Sequence, residues 1–122
     1  MSALALIIED DEDLADIFAE ALHRVGFEVE HVPDGKQGDE RLRNGPPPFL
    51  ILLDMHIPHI FGGDLLTNVI RQDPKFEKTM VIITTADARM GEAYRDQADF
   101  VLIKPISFVQ LKDLTARLIQ KQ

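Results

Sequence analysis

Five short apolar runs alternate along the chain with segments whose apolar residues recur every three or four positions. Runs of this length are typical of strands that are buried on both faces of a parallel sheet. In the second run, apolar and charged residues alternate, which favours a half-exposed edge strand. The pattern predicts strands at residues 3–8, 27–32, 49–53, 80–84 or 80–85, and 100–103.

Helical spacing fills the stretches between these strands. The first helix, residues 12–25, has a clear apolar stripe, and Gly26 follows it where a helix commonly ends in glycine. Asp34 is predicted to cap the second helix, and Ser107 with Gln110 has capping-box spacing at the start of the last one. The intervening helices are predicted at residues 34–44, 63–72 and 87–96.

These elements make five successive β–α units within 122 residues. A chain of this length with 45% hydrophobic residues can bury one core and has no room for a second domain. We therefore predict one α/β domain, residues 1–122, built around a five-stranded parallel sheet. The chain starts at a methionine, which favours a complete protein.

Composition narrows the possible functions and the expected location. A formal net charge of −8 argues against direct nucleic-acid binding, which depends on clustered lysine and arginine, and favours attraction of cations. No apolar stretch approaches the ~20 residues that cross a bilayer, and the first residues enter a strand without a signal peptide. Because the chain also lacks cysteine, we expect a cytoplasmic protein that does not bind membranes.

Polar residues end four of the five apolar runs. Glu9 and Asp10 follow the first, Asp54 the third, Thr85 the fourth and Lys104 the fifth. Functional groups in parallel sheets collect beyond the carboxyl ends of the strands, so these side chains are expected to share one pocket. Three neighbouring carboxylates repel one another, and Mg²⁺ is a suitable counter-ion because it binds few carboxylates together with phosphate oxygens.

This combination suggests phosphoryl chemistry. A carboxylate beside Mg²⁺ can act as a nucleophile and form an aspartyl phosphate, and Lys104 and the Thr85 hydroxyl could bind the phosphoryl oxygens. Each residue alone has a simpler interpretation: Asp10 or its neighbour Asp11 as the cap of the first helix, Thr85 as a strand or cap residue, and Lys104 as part of a Lys-Pro loop. Their occurrence together at four strand ends favours a site.

With their neighbours, these residues form a set of motifs that resembles the receiver domain of two-component response regulators. The resemblance covers the whole chain, and the length of the chain is similar to that of the stand-alone, chemotaxis-type regulators. It implies a flavodoxin-like (βα)5 fold, a three-layer sandwich whose sheet has the strand order 2-1-3-4-5. The matching segments are Ile7–Glu12, Leu52–Pro58 with Gly62, Thr85-Ala86 and Lys104-Pro105.

The resemblance also implies roles for individual residues. Asp54 would be the phosphoacceptor and would contribute to the metal site. Asp10 would bind Mg²⁺ directly, Glu9 directly or through water, and His56 through its backbone carbonyl. Thr85 would be the switch hydroxyl, and Lys104, preceding a cis proline bond, would pair with the phosphoryl group.

The function implied is that of a signalling phosphoacceptor. A sensor histidine kinase or histidine phosphotransfer protein would supply the phosphoryl group, and a downstream protein target, or a second copy in a homodimer, would respond. The protein would phosphorylate and dephosphorylate only itself, so it would not be an enzyme with a separate substrate. The output surface would lie around the fourth helix, the fifth strand and the fifth helix.

Three other functions compete with this interpretation. A phosphatase of the haloacid-dehalogenase type wants aspartate two residues beyond the nucleophile, where this chain has His56. A flavin- or nucleotide-binding protein needs a phosphate-cradling loop after the first strand, where residues 9–13 are all acidic. A pseudo-receiver that acts without phosphorylation, as a dimerisation or scaffold module, stays open as the alternative.

Three departures from the family pattern fall in the region that usually transmits the signal. Val101 stands three residues before Lys104, where receivers usually have an aromatic residue that changes rotamer. Only eighteen residues separate Thr85 from Lys104, which predicts a short or irregular fourth helix. Gln97 replaces a glycine that usually precedes the fifth strand. The sequence therefore predicts intact chemistry with an unconventional readout.

Overall fold

The computed structural model describes residues 3–120 and has five parallel strands in one sheet. Their order is β2-β1-β3-β4-β5, as the resemblance implies. The outer strands are β2 and β5, and β3 is fully buried. The strand bounds are Leu4–Ile8 for β1, Glu28–Val32 for β2, Leu50–Asp54 for β3, Met80–Thr85 for β4 and Phe100–Ile103 for β5.

Helices cover both faces of the sheet. On one face, α1 and α5 pack together over a core that contains Phe18, Leu22 and Leu111. On the other face, α2, α3 and α4 cover a second core that contains Leu42 and Leu65. The bounds are Glu12–Val25 for α1, Gly35–Asn44 for α2, Gly62–Leu65 for α3, Ala88–Tyr94 for α4 and Phe108–Ile119 for α5.

The predicted helix ends are largely confirmed. Gly26 adopts a left-handed backbone with φ of 110° after α1, where a side chain would be disfavoured. Asp34 caps α2 by accepting the amide of Gln37 at 2.8 Å. Ser107 caps α5 by accepting the amide of Gln110 at 3.2 Å. These local hydrogen bonds explain why sequence spacing alone located the ends.

Two irregular segments differ from the prediction. The helix predicted at 63–72 begins one residue earlier as α3 and continues as a π-helical turn, Leu66–Ile70. The amide of Arg71 bonds to the carbonyl of Leu66, five residues back, at 3.0 Å. A 3₁₀ turn, Pro74–Phe76, was not predicted. A single turn is too short for periodicity to distinguish these helix types.

The fourth helix is short, as predicted. It has seven residues, is capped by Asp87, and passes into a 3₁₀ turn, Arg95–Gln97. Phe100 and Val101 face opposite cores, as strand alternation requires. Within residues 3–120, helices long and apolar enough to traverse a lipid bilayer are absent.

Candidate functional site

The sheet brings the predicted polar residues to one edge. Strand registry pairs Ile8 with Leu53 and Asp54 with Thr84, so the ends of β1, β3 and β4 are level. The same register pairs Thr85 with Ile103, the residue before Lys104. Residues that are far apart in the chain thus lie side by side beyond the carboxyl ends of the strands.

Lys104 joins two buried carboxylates. Its Nζ donates to Glu9 Oε1 at 2.9 Å and to Asp54 Oδ2 at 3.2 Å. The side chains of Glu9 and Asp54 are 2% and 4% exposed, and that of Lys104 is 22% exposed. The Lys104–Pro105 peptide bond is cis. The ammonium therefore neutralises charge inside the pocket, where burial makes ionic interactions strong.

Backbone amides bind the other carboxylate oxygens. The amide of His56 donates to Asp54 Oδ1 at 3.1 Å, and the amide of Asp11 donates to Glu9 Oε2 at 3.2 Å. Both oxygens of each buried carboxylate thus accept a hydrogen bond. These hydrogen bonds fix both carboxylates in position.

The electrostatics of the pocket follow from this crowding. Burial raises the pKa of Glu9 from 4.5 to about 7, although the hydrogen bond from Lys104 reduces the effect. Partial burial acts to lower the pKa of Lys104, but the hydrogen bond to Glu9 and the charges of Asp54 and Glu9 outweigh it, so that pKa is raised. Lys104 stays protonated at neutral pH and the pocket has excess negative charge.

The acidic residues form a cluster that could hold a cation. One carboxylate oxygen from each of Glu9, Asp10 and Asp54 lies within 4.8 Å of the others. Asp10 is exposed, and Asp11 rather than Asp10 caps α1 by accepting the amide of Leu14 at 3.1 Å. Asp10 is therefore available as a ligand. An all-oxygen donor set with solvent on one side suits Mg²⁺.

Thr85 lies at the edge of the pocket, and its hydroxyl contacts the start of α4. Oγ1 accepts the amide of Asp87 at 3.0 Å and donates to the carbonyl of Asp87 at 3.4 Å. Asp87 in turn caps α4 by accepting the amide of Arg89 at 2.9 Å. The hydroxyl thus links the end of β4 to the first turn of α4.

Two supporting contacts were not predicted. His31 is exposed but also donates from Nε2 to the carbonyl of Glu9 at 2.7 Å. Gly62 donates its amide to the carbonyl of Met55 at 3.0 Å. An alternating edge-strand pattern could not reveal the His31 contact, because it depends on how β2 pairs with β1. The Gly62 position was noted only as part of a motif.

Comparison with known proteins identifies the family. A profile of the response regulator receiver domain matches residues 5–116. The chain belongs to the response regulator receiver domain family. Receiver domains are signalling modules rather than enzymes that turn over a separate substrate, and histidine kinases phosphorylate them.

Two curated proteins with similar sequences are regulatory proteins. It is 30% identical over 118 residues to the "Probable methanogenesis regulatory protein FilR2" of Methanothrix harundinacea, with 89% of this chain and 76% of the relative covered. It is 32% identical over 108 residues to the phosphate regulon transcriptional regulatory protein PhoB of Rhizobium meliloti, with 86% of this chain and 47% of PhoB covered. The chain thus spans about half the length of PhoB.

Solved receiver structures have the same fold. The chemotaxis response regulator CheY4 of Vibrio cholerae superposes with a TM-score of 0.85 at 19% identity, covering 97% of this chain and 99% of CheY4. The receiver domain of the sensor histidine kinase PA1611 from Pseudomonas aeruginosa has a TM-score of 0.84 at 23% identity, covering 98% and 99% of the two chains. That structure has a magnesium ion in its active-site cleft.

Proposed function

We propose that this receiver is a phosphoacceptor in two-component signalling and that Asp54 carries the phosphoryl group. The supporting observation is the position of Asp54, buried and bound by both Lys104 and the amide of His56. Residues 1–122 would act as one receiver domain. The pseudo-receiver alternative requires no such arrangement, because a scaffold gains nothing from two buried carboxylates paired with one ammonium.

The reaction would transfer a phosphoryl group from a phosphohistidine. An oxygen of the Asp54 carboxylate attacks phosphorus, the phosphorus–nitrogen bond breaks, and its electron pair returns to the donor imidazole. The product is an acyl phosphate on Asp54 and a free histidine on the donor. Lys104 would bind the phosphoryl oxygens, and the Thr85 hydroxyl would turn from Asp87 to donate to them.

The residues that would hold Mg²⁺ are the carboxylates of Glu9, Asp10 and Asp54 and the backbone carbonyl of His56. The carboxylate cluster fits this ion because its donors are oxygens and Asp10 is open to solvent. When bound, Mg²⁺ supplies charge neutralisation for the incoming phosphoryl oxygens.

Partners follow from the same proposal. A sensor histidine kinase or a histidine phosphotransfer protein would be the donor, and a protein target would bind the phosphorylated form, with a homodimer as one possible output. The net charge of −8 supports a protein rather than a nucleic-acid target. We place these events in the cytoplasm.

The direct test is phosphoryl uptake. After incubation with acetyl phosphate and Mg²⁺, intact mass should increase by one phosphoryl group. An unchanged mass with both acetyl phosphate and a phosphorylated histidine phosphotransfer domain as donor would contradict the proposal and favour the scaffold alternative.

Mg²⁺ should stabilise the folded protein. Binding to the native state alone at ~10 times the dissociation constant adds about 1.4 kcal/mol to the free energy of unfolding, which raises Tm by several degrees. Thermal unfolding with MgCl₂, against NaCl of equal ionic strength, measures this effect. Asp10→Asn should greatly reduce the shift; an equal shift in that variant would contradict the assignment of Asp10.

Lys104→Met should have opposite effects on metal binding and on phosphorylation. Without the ammonium, Lys104 no longer competes with the ion for the carboxylates of Glu9 and Asp54, so Mg²⁺ should bind about tenfold more tightly, a change of ~1.4 kcal/mol. Phosphoryl uptake should slow at least tenfold, because the phosphoryl oxygens lose a cationic partner.

Calorimetric titration with Mg²⁺ and intact mass against time measure the two effects. Lys78→Met removes the same charge near the amino end of β4, at the opposite edge of the sheet, and should change neither. Weaker or unchanged Mg²⁺ binding in Lys104→Met would mean that Lys104 does not compete with the ion.

A further inference from the structure

Val101 occupies the β5 position at which receivers usually have an aromatic residue that changes rotamer. Val101 packs against α4: a Cβ placed on Gly91 would lie 2.7 Å from Val101 Cγ1. The helix and strand are thus in direct contact without spare volume. Valine is also short and stiff at χ1, so it has no inward and outward positions to exchange. The usual coupling of the threonine hydroxyl to a rotamer change on β5 therefore cannot operate through Val101.

A different set of contacts joins the phosphoacceptor segment to α4. The rings of His56 and Phe61 lie edge to face, with centroids 6.1 Å apart at 62°. The rings of Phe61 and Tyr94 repeat this geometry at 6.1 Å and 65°. We call these three residues the aromatic chain. It begins two residues after Asp54 and ends at the last residue of α4.

The middle of the aromatic chain is tightly packed against α3. A Cβ on Gly63 would lie 2.4 Å from Tyr94 Cζ and 2.6 Å from Phe61 Cε2. Both rings thus rest on the backbone of a glycine, and any larger residue there would displace them. Both rings are half-buried, and because they share this contact with Gly63, a shift of Phe61 would change the position of Tyr94.

Polar contacts hold the segment that follows Tyr94. The side-chain oxygen of Gln97 accepts the hydroxyl of Thr67 at 2.9 Å, and the carbonyl of Gln97 accepts Arg71 Nε at 2.6 Å. Asp99 accepts the amide of Val81 at 2.7 Å. These bonds fasten the loop before β5 to neighbouring elements. A displacement that reaches Tyr94 is thus passed to α4 rather than absorbed by that loop.

We propose that phosphorylation of Asp54 is read out at α4 through the aromatic chain His56–Phe61–Tyr94. This inference rests on the proposed function. The link begins at Asp54, whose Oδ1 accepts the amide of His56 at 3.1 Å. A phosphoryl group on that carboxylate changes the partners of its oxygens, so the segment at His56 shifts and the edge-to-face contacts carry the shift to Tyr94. Tyr94 is the residue whose surroundings change with the signal.

The sequence provides a direct probe, because Tyr94 is the only tyrosine and the chain has no tryptophan. Tyrosine emission is recorded before and after incubation with acetyl phosphate and Mg²⁺, and phosphoryl occupancy is measured by intact mass on the same samples. Emission should change in proportion to occupancy. In Phe61→Leu, uptake should persist, while the fractional emission change should fall to less than half of the wild-type value.

Phe49→Leu is the matched control. Phe49 is another half-buried phenylalanine, but it packs on Phe27 at the opposite edge of the sheet, and its replacement should alter neither readout. If Phe61→Leu does not fold, as judged by circular dichroism, Phe61→Met replaces it.

The outcomes separate this inference from the function on which it rests. Phosphoryl uptake without an emission change in the wild type, or a full change in the Phe61 variant, would overturn readout through the aromatic chain and leave the phosphoacceptor role standing. An absence of uptake by the wild type would overturn both.

Discussion

Asp54→Asn should abolish phosphoryl uptake. The amide is nearly the same size as the carboxylate, and its oxygen can still accept a hydrogen bond from the His56 amide or from Lys104. It is, however, uncharged and a poor nucleophile, so it cannot form an acyl phosphate. Intact mass after incubation with acetyl phosphate and Mg²⁺ should show one added phosphoryl group for wild type and none for the variant.

Asp64→Asn is the control for a general loss of acidic charge. Asp64 is an exposed residue at the start of α3, and its replacement should leave uptake unchanged. Equal uptake by Asp54→Asn and wild type would place the phosphoryl group elsewhere. Peptide mapping would then test the neighbouring acidic residues, Glu9 and Asp10 first.

Gly62→Ala should both destabilise the protein and impair the site. A Cβ at this position would lie 2.4 Å from the carbonyl oxygen of Asp54 and 2.7 Å from Met55 Cα. Both are backbone atoms, so the phosphoacceptor segment itself must move. We expect the free energy of unfolding to fall by about 2–3 kcal/mol, as in other overpacked cores. Phosphoryl uptake should slow by at least ~10-fold, because the displaced carboxylate is misaligned.

Gly38→Ala is the control variant. It adds a methyl group to a buried glycine at a place where that methyl group would not meet backbone atoms of a neighbouring segment. A Cβ there would meet only methyl ends, Ile8 Cδ1 at 3.2 Å and Leu65 Cδ1 at 3.3 Å. Alanine also favours the helix by about 1 kcal/mol, so stability should change by less than that amount. Urea unfolding and phosphoryl uptake compare the two variants. Equal losses in both would show that the contact of Gly62 with Asp54 has no special role.

The site illustrates how far the pattern of residues could lead. Four strand ends that carry Glu9, Asp54, Thr85 and Lys104 predicted one pocket, because parallel strands place their carboxyl ends at the same edge. The structure confirms that these residues lie together. Their roles in phosphoryl transfer and metal binding stay predictions, which the experiments above test.

Other parts of the site could not be read from the sequence. The contact of His31 with Glu9 depends on the pairing of β2 with β1, and the Tyr94 ring lies on Gly63 only because α4 packs beside α3. Neither relation leaves a local pattern. Residues that lie 22 positions apart, as His31 and Glu9 do, or further, carry no periodic signal of their contact.

The sequence by itself determined the element order, the α/β fold class, the helix caps and the family, since these depend on local periodicity, local hydrogen bonds and short motifs. Tertiary structure decided the buried ion pairs of Lys104, the raised pKa of Glu9, the π-helical turn that follows α3 and the aromatic chain to α4. The reason is physical: charge burial and ring packing are set by which distant segments meet, and that is known only once the sheet has brought them together.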